Sequence, residues 1–550
     1  MKRLGFSLYV ALLILLSACA TSEKEVAEKD KPFVWEGANL YFLLTDRFNN
    51  GTTDNDVNFE RELPTGKLRG FEGGDIKGIT QKIREGYFTD LGINAIWFTP
   101  ITEQIHGSVD EGTGNTYGFH GYWAKDWTAL DPNFGTMDDL AELVAVAHSR
   151  GIRIVMDAVI NHTGPATEKD PAWEEGWVRT GPTCTYQNFK TTAECTLTDN
   201  LPDIKTESTL EVTVPKSLAE KWKNEGRYEQ EMKELDEFFA RTGYPRTPKY
   251  HMIKWLCDYI IEFGIDGYRA DTVKHTEESV WGDFRKECEY AFQLWKKNNP
   301  EKVLDDNEFY SVAEIYGYNI SHKFAYSFGD KQVNYYANGF TDLINFEFKY
   351  NAQNSYEELF SNYSEILQGD LKGHGILNYL TSHDDGSPFD AKRERSFESA
   401  NKLLLCPGTS QVYYGDESAR PLVIEGTVGD ATLRSFMNWE QIVSDKNTQT
   451  VLNHWQKLGQ FRRDHPAVGA GVHKMLSETP YVFSRTYNNM ELQDQVFVGL
   501  DLPIGKKELT IEGLENGTKL HDAYSGEIVK VKNGKVSFDT EFDIVLLELL

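Results

Sequence analysis

Three carboxylates in this chain each stand just past a short apolar run. Gly267-Tyr268-Arg269-Ala270 leads into Asp271, Ser311-Val312-Ala313 into Glu314, and Leu380-Thr381-Ser382-His383 into Asp384. A fourth segment of the same kind, Met156-Asp157-Ala158-Val159-Ile160-Asn161-His162, ends in an amide and an imidazole. Singly, an Asp after a strand is a cap or turn residue. Held at one mouth, three carboxylates repel one another, so their pKa values separate and one stays protonated while the others ionise. An acid beside an ionised nucleophile is what cleavage of a glycosidic bond requires. Arg269, two residues before Asp271, points the same way along a strand and can hold it ionised through charge-assisted hydrogen bonds.

Bringing these residues to one mouth is the task of the elements around them. Apolar, β-branched or aromatic runs occur at Leu40–Leu44, Ala95–Thr99, Ile152–Asp157, Gly267–Ala270, Tyr310–Ala313, Leu343–Phe346, Ile376–Thr381 and Gln411–Tyr414. Helical patterns fall between them at Met137–Ser149, with Thr136 as N-cap, and at Lys249–Phe263, Ser279–Lys297, Ser355–Leu367 and Arg395–Leu405. Strand and helix alternating eight times predict an α/β fold, a (β/α)8 barrel whose active site lies at the carboxyl ends of the strands. Residues 163–248 are too long for one connection and read as a subdomain inserted after the third strand, with Pro215 to Arg241 as charged helix. Beyond about Leu458 short alternating strands take over, at Tyr481–Thr486, Asp494–Leu500, Glu508–Glu512, Gly526–Lys530 and Asp543–Leu549. They predict a C-terminal antiparallel β domain. The expected division is 1–19 signal peptide, 20–35 tether, 36–162 with 249–458 barrel, 163–248 inserted subdomain, and 459–550 a C-terminal β-sandwich.

The composition fits such a body. With 550 residues, 40% hydrophobic and 13% aromatic, the chain can bury a sizeable core. Its formal charge of −28 repels polyphosphates and anionic lipid surfaces, so nucleic acid is not an expected partner. Aromatics beside carboxylates suit stacking on and hydrogen bonding to neutral sugars. At the N-terminus Lys2 and Arg3 precede an apolar run, Leu8 to Leu16, too short for the roughly 20 residues of a membrane span. Leu16-Ser17-Ala18-Cys19 resembles the lipobox of bacterial lipoproteins, which implies an exported chain anchored through lipid on Cys19. Cys184 and Cys195 share one Thr- and Asn-rich stretch where a local disulfide or two thiols are both open readings, while Cys257, Cys288 and Cys406 read as buried thiols.

The four segments resemble, in chain order, the signature segments of the α-amylase family, family 13 of the glycoside hydrolases. Further matches are Gly92-Ile93-Asn94-Ala95-Ile96-Trp97, His120-Gly121-Tyr122-Trp123, Leu201-Pro202-Asp203 and Tyr413-Tyr414-Gly415-Asp416-Glu417. The stretch Tyr414 to Pro421 with Met437-Asn438-Trp439 is similar to the family's periplasmic bacterial members. The resemblance implies a retaining double displacement with Asp271 as nucleophile, Glu314 as acid and base, and Asp384 binding and straining the sugar. The first two would sit roughly 5–5.5 Å apart. By the same resemblance His162 and His383 hydrogen-bond that sugar beside Arg269, Tyr122 stacks on it, and Lys274 stands on the leaving-group side. Trp123 reads as packing. Ser382 departs from the family's usual Asn.

Calcium is the implied cofactor, since it takes oxygen ligands. Asn161, Asp203 and the main-chain carbonyl of His275 match a site that pins the inserted subdomain to the barrel. Asn50, Asn55, Asp56, Gly73 and Asp75 match a second site known in cyclodextrin-acting relatives, although an Asn/Asp/Gly turn without an ion has the same composition. The expected substrate is an α-glucan polysaccharide or maltooligosaccharide, cleaved at internal α-1,4 bonds by a monomer outside the cytoplasm. A cyclodextrinase, pullulan hydrolase or glucanotransferase on the same barrel is the alternative, and a non-catalytic glucan-binding lipoprotein a further one. Endo or exo action stays open at this stage.

Overall fold

The computed structural model describes residues 32–110, 112–490 and 492–550. The expected signal peptide, its lipobox Cys19 and the first part of the tether lie outside them. Among the described residues no helix is long and apolar enough to cross a membrane.

Eight parallel strands close into a barrel in sequential order. They are β1 (Asn39–Leu43), β2 (Ala95–Phe98), β3 (Arg153–Ala158), β4 (Gly267–Ala270), β5 (Tyr310–Ala313), β6 (Asp342–Asn345), β7 (Gly375–Tyr379) and β8 (Thr409–Tyr413). Every residue of these strands is buried, because helices cover the outside and side chains fill the inside. That double burial gives strands such as Asn39–Leu43 and Ala95–Phe98 their apolar runs, while Thr409–Tyr413 carries Thr, Ser and Gln into the same core. The register sets Arg269 level with Asp157 on β3 and Val312 on β5, so an inward-facing arginine meets whatever β3 points inward at the same height.

The helices begin and end where local chemistry says they should. Met137–His148 opens on a capping box in which Thr136 and Asp139 satisfy each other's backbone N–H groups. Pro248–Phe263 has proline at its first position and ends on Gly264 at φ 72°. A Cβ there would lie 2.0 Å from the Trp295 ring, so only glycine lets this helix turn against Glu278–Asn298. Tyr356–Gln368 is capped by Ser355, and Ser396–Leu404 follows β7.

Three expectations need correction. The charged stretch Pro215 to Arg241 is two helices, Lys216–Asn224 and Tyr228–Thr242, because Gly226 at φ 73° breaks the run. The expected strand Gly526–Lys530 starts only at Ile528, since Gly526 sits at φ 86° in the turn before it. The helix Lys446–Asp464 also runs through residue 458, and the next strand begins at Val472.

That C-terminal region holds β9 (Val472–Ser477), β10 (Tyr481–Asn488), β11 (Gln493–Leu500), β12 (Gly505–Thr510), β13 (Lys519–Asp522), β14 (Ile528–Lys530), β15 (Lys535–Thr540) and β16 (Val545–Leu549). An antiparallel sheet runs β9-β10-β11-β16-β13-β14, beside a β12-β15 ribbon. Alternation on β11 sends Phe497 into the sheet's own core with Val482 and Leu547, and Val496 and Val498 into the barrel's core. β9, β13 and β15 escape a sequence reading because polar and charged residues interrupt their short apolar pattern.

Between β3 and the helix Pro248–Phe263, Cys184 and Cys195 are joined by a disulfide. Cys257, Cys288 and Cys406 are buried free thiols.

Candidate active site

The barrel mouth is organised around one guanidinium. Buried Arg269 places Nη1 3.0 Å from Asp157 Oδ1 and 2.6 Å from Asp271 Oδ1, and Nη2 3.0 Å from Glu314 Oε2. Adjacent strands in matched register deliver all four groups. Asp157 is held further by Trp97 Nε1 at 3.1 Å and the Tyr122 hydroxyl at 2.9 Å. Burial lifts Asp157 to about 7, opposed by Arg269 and reinforced by Asp271.

Glu314 differs from its neighbours in what surrounds it. Its Oε2 accepts a 2.8 Å hydrogen bond from the Thr272 amide, which is aimed by a left-handed backbone at φ 47°. Burial raises its pKa to about 8 against the pull of Arg269, with Asp271 and Asp384 adding to the rise. It therefore carries a proton at neutral pH. For Asp384 burial also pushes up, but His383, Arg269 and Arg434, with the Ser382 hydroxyl at 3.0 Å, outweigh it and hold the carboxyl below its ordinary value. Although packed among charged groups, its side chain is 36% exposed and opens to the cleft, whereas Asp271 and Glu314 are 7% and 8% exposed. Burial and neighbouring charges thus push Glu314 and Asp384 in opposite directions.

The imidazoles and rings line the same opening. Tyr122 stacks on His383 at 5.3 Å between centroids, and Trp97 stacks on Phe42 beneath. His162 Nε2 lies 3.1 Å from the Tyr122 carbonyl. Burial lowers both histidines, His383 to about 4, so they are neutral hydrogen-bonding groups at pH 7. Lys274 stands on the opposite flank, where Nζ donates to the Tyr316 carbonyl at 3.0 Å and the Tyr326 hydroxyl at 3.3 Å. Trp123 is buried with Ile105 and Leu201, away from the opening. All eight residues read as catalytic or sugar-binding thus lie around one mouth.

Sequence reading passed over Asp157, Trp97, Arg434 and Tyr316 as site residues. Asp157 was visible in the β3 segment, and its partnership with Arg269 follows once β3 and β4 are aligned. Arg434 donates to the His383 carbonyl at 2.9 Å from a loop far along the chain, and no spacing signal leads to it.

Two groups of oxygens bear on metal binding. The amide end of Asn161 faces Asp203 Oδ1 at 3.2 Å and the His275 carbonyl at 2.8 Å. With its nitrogen turned there it donates to both; with its oxygen turned there, three oxygens meet with no hydrogen between them, as an oxygen-liking cation requires. Near the N-terminus Asn50 Nδ2 donates to Asp56 Oδ1 at 2.9 Å, and Asp75 accepts from the amides of Gly51 at 3.0 Å and Thr52 at 3.1 Å. Gly73 closes over this corner, since a Cβ would lie 2.4 Å from Asn50 Nδ2. Asn55 Oδ1 is buried there without a partner. Among the described residues no group of three or more His, Cys, Asp or Glu side chains is placed to hold a metal, so either site would depend on amide and main-chain oxygens.

The family described as Alpha amylase, catalytic domain, matches residues 42–463. The periplasmic alpha-amylase of Escherichia coli (strain K12) is 35% identical over 544 residues, covering 86% of this chain and 75% of that protein. A cyclomaltodextrin glucanotransferase of Geobacillus stearothermophilus is 26% identical over 521 residues, 89% of this chain and 65% of the relative. Among solved structures an Anoxybacillus alpha-amylase superposes with a TM-score of 0.63 at 24% identity, over 94% of this chain and 99% of that one, a likeness of fold. A closed barrel, a mouth of paired carboxylates on one arginine and a family match across most of its length agree: the chain belongs to the alpha-amylase family and is a glycoside hydrolase.

Proposed function

We propose that this enzyme hydrolyses internal α-1,4-glucosidic bonds of starch, glycogen or maltodextrins with retention of configuration. The observation that carries the reading is the sharing of Arg269 by Asp271 and Glu314, with Glu314 pushed to about 8. Asp271 is the nucleophile that displaces the leaving sugar. Glu314 gives its proton to the departing oxygen and then takes one from the attacking water. Asp384, His162 and His383 bind the hydroxyls of the sugar being cleaved, Tyr122 stacks on its ring, and Lys274 meets the leaving-group side.

Calcium suits the oxygens of Asn161, Asp203 and His275, and would supply a fixed positive charge that ties 163–248 to the barrel. A second ion suits Asn50, Asn55, Asp56, Gly73 and Asp75. Chelation should then lower the melting temperature, and an unchanged melting curve argues against a structural ion. The similarity to a periplasmic relative supports export of this chain; a lipid anchor on Cys19 and a monomeric state complete the proposal.

Glucanotransferase action is the second reading, favoured by the similarity to cyclomaltodextrin glucanotransferases. It uses the same carboxylates with a sugar hydroxyl in place of water. A timed product profile on amylose, pullulan and cyclodextrin separates these readings. Rapid loss of iodine colour with mixed maltooligosaccharides supports the endo-hydrolase. Cyclic products, or preference for pullulan or cyclodextrin, would overturn it.

A further inference from the structure

Two buried thiols face each other in the helical layer outside the barrel. Cys257 Sγ lies 3.9 Å from Cys288 Sγ, and both are free in this structure. Cys257 stands on the helix Pro248–Phe263, which precedes β4, and Cys288 on the helix Glu278–Asn298, which follows it.

The register that brings them together is fixed at another point. Both helices run back against their strands, so they lie parallel to one another. Gly264, at the end of the first, lets its backbone approach the Trp295 ring of the second. Cys257 and Cys288 each stand seven residues before that contact, two turns back on either helix and about 10.5 Å along the shared axis. On Glu278–Asn298, Cys288 continues the buried stripe of Trp281, Phe284, Phe292 and Trp295. Tyr268 of β4 packs under the same two helices, with its hydroxyl donating to the Leu256 carbonyl at 2.7 Å and its ring 5.5 Å from that of Phe284. Alternation along β4 sends the next residue, Arg269, inward to the mouth.

The surroundings leave each thiol only the other. The neighbouring carboxylates are engaged, Asp258 by Lys254 Nζ at 2.6 Å and Glu287 by Arg241 Nη2 at 2.7 Å. Among the described residues no third His, Cys, Asp or Glu joins the pair in a metal-holding group, and two sulfurs alone do not make a zinc site. Sulfurs bonded to each other stand about 2.05 Å apart, so closure asks a movement of about 1.9 Å, shared between two side chains on helices already in contact.

We propose that Cys257 and Cys288 are joined by a second disulfide in the mature protein, which staples together the two helices that flank β4. Each thiol gives up one proton and one electron as the S–S bond forms. The electrons pass to the disulfide of a dithiol oxidoreductase, which takes up the protons and leaves as two thiols. The Cys184–Cys195 bond requires an oxidant of the same class; that the chain meets one rests on the export proposed above. Burial pushes the Cys257 thiol well above its ordinary value, so attack by its thiolate is slow in the packed barrel and the bond forms while the helices dock. The loop it closes contains β4, which carries Arg269 and leads into Asp271. The staple therefore restricts the unfolded chain around that strand without touching the mouth.

The test compares two preparations of the chain, one expressed with its own N-terminus and one with residues 20–550 sent to a bacterial periplasm behind a cleavable secretory leader. Each is unfolded without reductant in the presence of an alkylating reagent, and its peptides are mapped by mass spectrometry. Cys257 should be found linked to Cys288, with Cys406 alkylated, in both. Alkylated Cys257 and Cys288 behind the secretory leader overturn the staple, as they do in any preparation whose Cys184 and Cys195 are linked. A Cys257–Cys288 link behind the leader, with all these cysteines alkylated in the chain carrying its own N-terminus, supports the staple and overturns export. Melting curves read its effect: reductant should lower the Tm of the parent by about 5 °C more than that of Cys257→Ala, with activity on soluble starch equal in the two. Equal shifts would overturn the stapling role.

Discussion

The barrel holds strongly shifted carboxyls at both ends, and only one end can do chemistry. At the mouth, burial takes Glu314 to about 8 and Asp157 to about 7. At the base, burial takes Asp342 to about 7 as well. Asp342 is held by neutral donors alone, the hydroxyls of Tyr310 and Thr409, each at 3.0 Å. Gly375 seals it: a Cβ there would lie 2.1 Å from its Oδ1. Glu314 shares a cation with a second carboxylate beside an open cleft. A raised pKa therefore reports burial, and a site further requires a charged partner poised for the opposite role and a way in for substrate.

The sharpest way to break this contrast is at the mouth. Glu314→Gln or Asp271→Asn should each lower kcat/KM on soluble starch about 10³- to 10⁴-fold with the fold intact by circular dichroism. Near-full activity in either would place the mouth beside the base as a merely structural cluster. Arg269→Lys keeps the charge but loses the fork that serves Asp157, Asp271 and Glu314 together, and should cost about 10²-fold in kcat. Activity at the parental level would show that charge alone suffices.

The next test is a pH profile. A protonated Glu314 predicts an alkaline limb in kcat/KM near its pKa of about 8. Asp384 is one of the charges that raise that value, so Asp384→Asn should shift the limb of its residual activity to lower pH. A limb that stays put would mean that another group sets it.

The smallest expected effect is at the base. Asp342→Asn should leave kcat/KM within about twofold, since the group touches no substrate, and change stability by about 1 kcal/mol through its two hydrogen bonds. The folded pKa of Asp342 lies above its ordinary 3.8, so its stabilising contribution is complete below about pH 4 and is lost as pH rises towards 7. Melting temperatures of variant and parent should therefore diverge in the variant's favour across that window. A constant difference would mean that Asp342 is ionised throughout.

The barrel was legible because burial on both faces leaves most of its strands an apolar run, as in Asn39–Leu43 and Ala95–Phe98, and because helices such as Met137–His148 carry their own caps. The β sheet at the C-terminus was legible only in part. β9, β13 and β15 owe their strand form to neighbours along the sheet, which local pattern does not encode. Gly226, at φ 73°, divides the expected charged helix in two, because the left-handed backbone it adopts cannot continue an α-helix.

Residue types and their spacing along the chain determined the class of chemistry, three carboxylates with an arginine two places before one of them, and the number of strands that would carry them. Tertiary structure decided which carboxyl keeps its proton. Glu314, Asp271 and Asp384 are alike in sequence as acids after strands, and they differ only through burial, through the Thr272 amide, and through the cations each one faces. Those differences are set by distances across strands far apart in the chain. Electrostatic energy depends on such distances and on exclusion of water, neither of which a linear order contains.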